Sequence, residues 1–366
     1  MEKPQIAVIG AGLMGHGIAY LFAAGGYDVR VQDPASGALE KLPLRIGDIC
    51  DLLGTDRAAA ERVSTGQSIE WAAGGAGIVI EAAPEKLALK QAIFADLERL
   101  APPGAILASN TSALPITRIA AGLKNKDRVL GAHFWNPPHL VPLVEIVLMS
   151  AANRPAAYCL AAILRAIGRH PVLVHRDIPG FIGNRLQHAL KREAIALVAA
   201  GVCDAETIDD VVKQGFGARL GVLGPLEQSD LVGLDLTKNI HDTLVPDLDV
   251  TPHTHPYLEA LIDKGELGMK TGKVSGAGRR TRPKQCGNGC GKRWSRAQPG
   301  ADKNRAADDY RAVRITTFLR SEYLSMACSE RSRPKPDSLK PPKGSSTTGP
   351  VTPLTLMLPA TSRLAM

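Results

Sequence analysis

The chain has 366 residues, 45% of them hydrophobic, with a mean hydropathy of −0.03, the composition of a globular protein of about two domains. Its formal charge of +8 is unevenly held: residues 274–366 carry 18 Lys/Arg against 6 Asp/Glu, leaving 26 against 30 in residues 1–273. The mildly acidic body gives no electrostatic basis for nucleic-acid binding, and no run approaches the roughly 18 apolar residues that a membrane span requires.

The first strand-like run starts at Gln5, so no secretory leader is expected. The six cysteines (Cys50, Cys159, Cys203, Cys286, Cys290 and Cys328) lack disulfide-framework spacing, and a reduced, cytoplasmic setting is expected. QIAVIG (5–10) reads as a strand, GHGIAYLFAAG (15–25) as a helix and DVRVQD (28–33) as a second strand. Further strands are expected at GIVIEAA (77–83), AILASN (105–110), RVLGAHF (128–134), LVEIVL (143–148) and HPVLVH (170–175). A helix with a glycine stop, RPAAYCLAAILRAIG (154–168), precedes the last of these. Strands that alternate with helices predict an α/β domain with a parallel sheet over residues 1–177.

From Pro179 the pattern becomes helical, in runs at 181–201, 204–217, 224–246 and 255–268, which predicts an all-α second domain over 178–273. After Lys273 no apolar period is sustained outside 310–327, and 333–343 is rich in Pro and Lys, so 274–366 is expected to be a mostly disordered basic tail. The spacing Cys286-x-x-x-Cys290 is not that of a usual zinc site, and no metal is expected.

Gly10-Ala11-Gly12-Leu13-Met14-Gly15 fits G-x-G-x-x-G, with a strand before it and a helix after it. Gly10 allows the tight turn, Gly12 lets a pyrophosphate approach the backbone, and Gly15 lets the helix pack close to the strand. Gly10, Gly12, Leu13, Met14 and Gly15 are thus expected around a dinucleotide phosphate in a Rossmann-type fold. Asp33 stands 23 residues after Gly10, at the end of the next strand, with no arginine following it. A carboxylate there accepts from a ribose 2′-OH and repels a 2′-phosphate, which favours NAD over NADP.

GAHFWNPPHLVPLVEIV (131–147) holds two strand-like runs about a proline turn. If the runs pair antiparallel about residue 139, His133 falls opposite Glu145. A carboxylate beside an imidazole fixes its tautomer and favours its charged form, so the pair could take a hydroxyl proton near a nicotinamide. The chain has nine histidines, and His139, His170, His175, His188, His241, His253 and His255 read as structural or exposed. His16 is too near the phosphate loop to be the base. ASNTS (108–112) follows a strand at the sheet's carboxyl edge, where its polar groups either hold a substrate oxygen or simply make a turn. Asn184 in GFIGNRL (180–186) faces the cleft or caps a helix.

GAGLMGHGIA, EAAPEKLALK, ASNTS, AHFWNPP with VPLVEIV, GFIGNRL, GPLE and GMKTGK occur in the order of the 3-hydroxyacyl-CoA dehydrogenases, which residues 4–273 resemble. The resemblance implies His133 as the base, Glu145 as its orienting partner, and Ser112 and Asn184 as holders of the substrate oxygens. It implies Asp33 at the adenosine ribose, and Glu85, Lys90, Ser112 and Asn136 at the nicotinamide half of NAD. It also implies a homodimer formed through the helical domain. The implied reaction is NAD-dependent oxidation of an L-3-hydroxyacyl-CoA, of short chain, to the 3-keto thioester.

Two departures bear on this. Only 51 residues separate Asp33 from Glu85, with Lys41 the sole lysine of 34–84, where the fatty-acid enzymes carry a longer, lysine-rich arm for the CoA phosphates. The branch resembling lambda-crystallin, the L-gulonate 3-dehydrogenases, acts on a free hydroxy acid, and HFWNPPHLVPLVEIV resembles that branch nearly as well. A crystallin-like NAD-binding protein without catalysis is a third reading, opposed by the presence of Ser112, His133, Glu145 and Asn184 together. Second, GMKTGK runs into VSGAGRRTRPKQC where the family has an aromatic pair, which suggests a change of reading frame near Lys273.

Overall fold

The computed structural model describes residues 3–268 and Thr271. The basic tail, the suggested frame change and Cys286 and Cys290 lie outside the described residues. In chain order the elements are β1 (Ile6–Ile9), α1 (Gly15–Ala24), β2 (Val29–Gln32), α2 (Ser36–Glu40), α3 (Leu42–Leu53), α4 (Ala58–Glu61), β3 (Val63–Gly66), α5 (Ile69–Ala73), β4 (Ile78–Glu81) and α6 (Leu87–Leu100). There follow β5 (Ile106–Ser109), α7 (Ile116–Ile119), β6 (Val129–Phe134), β7 (Leu143–Val147), α8 (Arg154–Ala166) and β8 (His170–Val174). The helices α9 (Gly183–Ala199), α10 (Ala205–Gln214), α11 (Pro225–Val232), α12 (Leu234–Leu244) and α13 (Pro256–Asp263) complete the chain order. No described helix is long and apolar enough to cross a membrane.

The strands form one sheet in the order β3-β2-β1-β4-β5-β6-β7-β8. Strands β1 to β6 are parallel, β7 turns back against β6, and β8 runs parallel to β7. This is a Rossmann-type doubly wound sheet with two added strands. Both faces are covered, so β1, β4 and β5 are buried along their whole length, as parallel strands between helical layers must be. Ile18, Phe22, Leu42 and Leu160 pack one face, and Phe94, Leu97, Ile116 and Phe181 the other.

Strand β3 has no counterpart in the sequence reading. Val-Ser-Thr-Gly at the sheet edge is half-exposed and lacks the apolar run that identified the other strands. The single helical run expected over 224–246 is two helices, because Gly233 adopts φ +100° between α11 and α12, a conformation closed to most side chains.

Packing explains the glycines that open α1. A Cβ on Gly15 would stand 1.8 Å from the Gly10 carbonyl oxygen, so the helix can begin under β1 only with glycine there. Gly17 lies against the proline turn of the β6–β7 hairpin: its Cβ would be 2.6 Å from Pro138 Cγ. The α9–α13 segment differs in kind. Its helices bury no side chain, and Phe181 is the last buried residue among those described. Leu186, Leu226 and Leu234 are 61%, 78% and 65% exposed, so in a single chain this segment has no core of its own.

Overpacking the contact between α1 and the hairpin should therefore be felt. Gly17→Ala is expected to lower stability by about 1–3 kcal/mol, read as a lower urea midpoint with an unchanged slope. An unaltered midpoint would mean that Pro138 yields at no cost.

Candidate active site

The β6–β7 hairpin is in the register the sequence implied: His133 pairs with Glu145 across the two strands. Nδ1 of His133 lies 2.8 Å from Oε2 of Glu145, and both side chains are buried. An ionised carboxylate can only accept, so the imidazole donates from Nδ1, and in the neutral ring the lone pair is then on Nε2. The rings of Trp135 and Phe181 stand 5.4 and 5.7 Å from the imidazole and shield it from water.

The second oxygen of Glu145 is held from another part of the chain. Oε1 accepts from the Ile182 and Gly183 N–H groups, each at 3.0 Å, at the start of α9. Gly180 and Phe181 deliver these donors through two successive left-handed residues, at φ +75° and +50°. Phe181 is wholly buried beside His133, and packing holds it in a conformation that costs a non-glycine residue on the order of 1 kcal/mol. Burial pushes the Glu145 carboxyl up, but the hydrogen bonds from His133, Gly183 and Ile182 outweigh it and hold the group below the ordinary carboxylate range. Gly183 must be glycine, since a Cβ would lie 2.2 Å from the Trp135 ring.

The ASNTS loop is shaped by Glu85. One of its oxygens accepts from Thr111 Oγ1 at 2.5 Å, Ser112 N at 3.0 Å and Ala113 N at 3.1 Å. Burial raises the Glu85 carboxyl, and these donors together with Lys90 more than reverse it. Asn184 Nδ2 donates to the Ser112 carbonyl at 2.9 Å, joining α9 to the loop. Lys90 is fully buried: Nζ donates to Glu81 at 2.7 Å and to the Ala83 carbonyl at 3.2 Å, with Glu85 at 3.5 Å. Ser109 donates to the other Glu81 oxygen at 2.5 Å. Lys90 therefore lies beneath the cavity and braces its wall, while Glu85, Ser112 and Asn136 line it.

At the glycine loop, Gly10 takes φ +107° with Ala82 O 2.8 Å from its would-be Cβ, whereas the Cβ position of Gly12 meets open space. The first turn of α1 carries no capping side chain, so no side chain competes with an anion for its N–H groups, of which His16 N makes one long bond, 3.4 Å, to the Gly12 carbonyl. Asp33 accepts from Ala11 N at 2.8 Å and Ala35 N at 2.9 Å, which fixes the carboxylate at the end of β2. These features fit a dinucleotide: space over Gly12, a helix start without a side-chain cap for the pyrophosphate and a carboxylate for a ribose. Leu13 is exposed beside the loop, and Met14 reaches the cavity. His16 bonds the Gly12 carbonyl through Nδ1, apart from the His133 pair.

A cavity of about 500 Å³ connects these parts, lined by Met14, Ala82, Ala83, Glu85, Asn110, Ser112, His133, Phe134, Trp135, Asn136, Asn184 and Gln187. It brings Met14 of the glycine loop, His133, Ser112 and Asn184 to one space at the carboxyl edge of the sheet. Asn110, the amide of the ASNTS loop, anchors β6 by accepting from Phe134 N at 2.8 Å. Three determinants of the site escaped the sequence reading. Gln187 is one turn along α9 from Asn184, and Trp135 and Phe181 enclose the imidazole. Trp135 neighbours residues already singled out; the roles of Phe181 and Gln187 depend on where α9 docks, which no local pattern encodes.

Family models match most of the described chain: the NAD-binding domain of 3-hydroxyacyl-CoA dehydrogenase over residues 5–178 and its C-terminal domain over 180–275. A probable 3-hydroxybutyryl-CoA dehydrogenase of Bacillus subtilis is 38% identical over 282 residues, covering 75% of this chain and 96% of the relative. A 5-formyl-3-hydroxy-2-methylpyridine 4-carboxylate 5-dehydrogenase of Mesorhizobium japonicum is 34% identical, covering 74% and 89%. A crystal structure of a dehydrogenase for that same pyridine acid, described as NAD⁺-dependent, superposes with a TM-score of 0.75 at 30% identity, covering 81% of this chain and 97% of that one.

His139, beside the site on the proline turn, supplies a pH test. Burial, then the nearby His16 and Arg169, lower its pKa from 6.5 to about 4, and its Nδ1 is buried without a partner among the described residues. A depressed histidine favours the folded state above its unfolded pKa. The contribution is complete above about 6.5 and lost as pH falls to about 4. Urea unfolding should show stability rising between pH 5 and 7, with a flatter rise in His139→Gln; equal slopes in the two proteins would remove His139 as the source.

Proposed function

Because the chain belongs to the 3-hydroxyacyl-CoA dehydrogenase family and takes NAD as its cofactor, we propose that it oxidises the 3-hydroxyl of a short L-3-hydroxyacyl-CoA to the 3-keto thioester, with His133 as the base. The observation that carries this reading is that His133, backed by Glu145, lines a cavity together with Ser112 and Asn184. His133 Nε2 takes the hydroxyl proton, and Glu145 stabilises the charge that the ring acquires. The Ser112 hydroxyl and the Asn184 amide hold the reacting oxygen and its neighbouring carbonyl. Bound NAD⁺ supplies the hydride acceptor for C3. Asp33 binds the adenosine ribose, and Glu85, Ser112 and Asn136 border the nicotinamide half, with Lys90 acting through Glu81 and Glu85.

One observation favours a second reading, the same chemistry on a free hydroxy acid. The segment between β2 and β3 folds as the short helices α2, α3 and α4, with Lys41 the sole lysine of 34–84, and offers little to the phosphates of CoA. The Mesorhizobium relative is named for a substrate with a free carboxylate.

We further propose that α9–α13 pair with those of a second copy. A helical segment that buries no side chain in one chain, yet exposes Leu186, Leu226 and Leu234, requires another apolar surface. The cytoplasmic setting is likewise a proposal, supported by the free thiols of Cys50, Cys159 and Cys203.

NADH formation with L-3-hydroxybutyryl-CoA and with L-gulonate tests the reaction. His133→Ala should lower kcat about 10²–10⁴-fold with little change in KM; equal rates would remove His133 as the base, and turnover of gulonate without turnover of the thioester would replace the first reading by the second. Sedimentation should give twice the chain mass of 38.8 kDa, and a monomer at micromolar concentration would overturn the pairing.

A further inference from the structure

A second cavity, of about 590 Å³, shares Ser112 and Asn184 with the first and continues from them along α9. Its ionisable lining is basic: Arg185, His188 and Arg192 face it, and no aspartate or glutamate does. Spacings of three and four residues set these side chains in a single stripe on α9, with Arg192 about 10 Å beyond Arg185 along the axis. Arg192 is partly neutralised, since its Nε lies 3.5 Å from Asp249. Arg185 and His188 form no ion pair or side-chain hydrogen bond among the described residues, although the guanidinium stem of Arg185 packs close to Gly180. A cation at the mouth of a site, left without a carboxylate in a body that is itself mildly acidic, is arranged for an anion that arrives with the substrate.

We propose that this second cavity takes the anionic end of the substrate, with Arg185 as its fork-like anchor and His188 beside it. The proposal rests on the reading of Ser112 and Asn184 as the groups that hold the reacting oxygens. In a CoA thioester oxidised at His133 the negative group lies beyond the carbonyl held by Ser112 and Asn184, and in a free acid it is the carboxylate at that position, shared between Asn184 and Arg185. A guanidinium binds carboxylate or phosphate oxygens through two parallel N–H donors, a geometry that a lysine cannot reproduce. The two sources of such an anion are the carboxylate of a free hydroxy acid and the phosphates of CoA. Arg185 and His188 are specificity residues here, since they contact the charged end and not the reacting atoms.

The test measures kcat/KM for L-3-hydroxybutyryl-CoA, for its uncharged N-acetylcysteamine thioester and for free L-3-hydroxybutyrate, on wild type, Arg185→Gln and Arg185→Lys. In Arg185→Gln, the ratio of a charged substrate to the neutral thioester should fall tenfold or more, chiefly through KM, with partial recovery in Arg185→Lys. A fall for the free acid assigns the carboxylate, and a fall for the CoA thioester assigns the phosphates. An unchanged ratio for both overturns the proposal. If wild type oxidises none of the three, the reaction proposed above fails. Calorimetric titration of 3-hydroxybutyrate and of CoA onto the NAD-loaded protein then decides the anion site separately: tenfold weaker binding of either in Arg185→Gln supports it, and equal or absent binding overturns it.

Discussion

The Glu145 carboxylate is the point at which this molecule is joined. One oxygen takes the His133 imidazole, and the other takes two backbone N–H groups from the start of α9. The group is 1% exposed, so each of these partners replaces a water it has lost. A buried carboxylate without donors costs several kcal/mol, and each charge-assisted hydrogen bond returns about 1.5–3 kcal/mol. One side chain thereby fixes the imidazole tautomer, the register of β6 against β7 and the entry of the chain into α9.

The same device recurs beneath the cofactor side of the cavity. Glu81 at the end of β4 receives Lys90 and Ser109, and Glu85 gathers three donors from the Thr111–Ala113 turn. Both carboxylates lie at the carboxyl edge of the parallel sheet, where strands end and loops must be given a shape. A satisfied polar network is rigid in a low-dielectric setting, so the loop that presents Ser112 is held as firmly as a strand end. Rigidity here positions the Ser112 backbone, while its hydroxyl makes no hydrogen bond among the described residues.

Much of this was legible in the chain because the signals are local. Gly10, Gly12 and Gly15 mark a strand-to-helix turn, and the antiparallel pairing of His133 with Glu145 follows from their equal distance from residue 139. Whatever depends on another part of the chain was not legible. Strand β3 is polar and pairs only along one edge, so it resembles a loop in sequence. The resemblance places Lys90 at the nicotinamide half, but that the side chain is wholly buried against Glu81 depends on how α6 packs on β4. The left-handed pair Gly180–Phe181 is half hidden for a related reason: glycine advertises its freedom, but phenylalanine adopts φ +50° because the core around His133 encloses it.

The bonds from α9 to Glu145 also bear on when the base exists. Together with the Asn184–Ser112 link, they tie the helical segment to the sheet at the edge of the cavity. If α9 swings away, Glu145 loses two of its three donors and must turn toward water, and the imidazole loses the partner that aims it. The alignment of the acid–base pair is thus tied to the seat of α9 on the sheet, and whatever disturbs that contact disturbs the base as well.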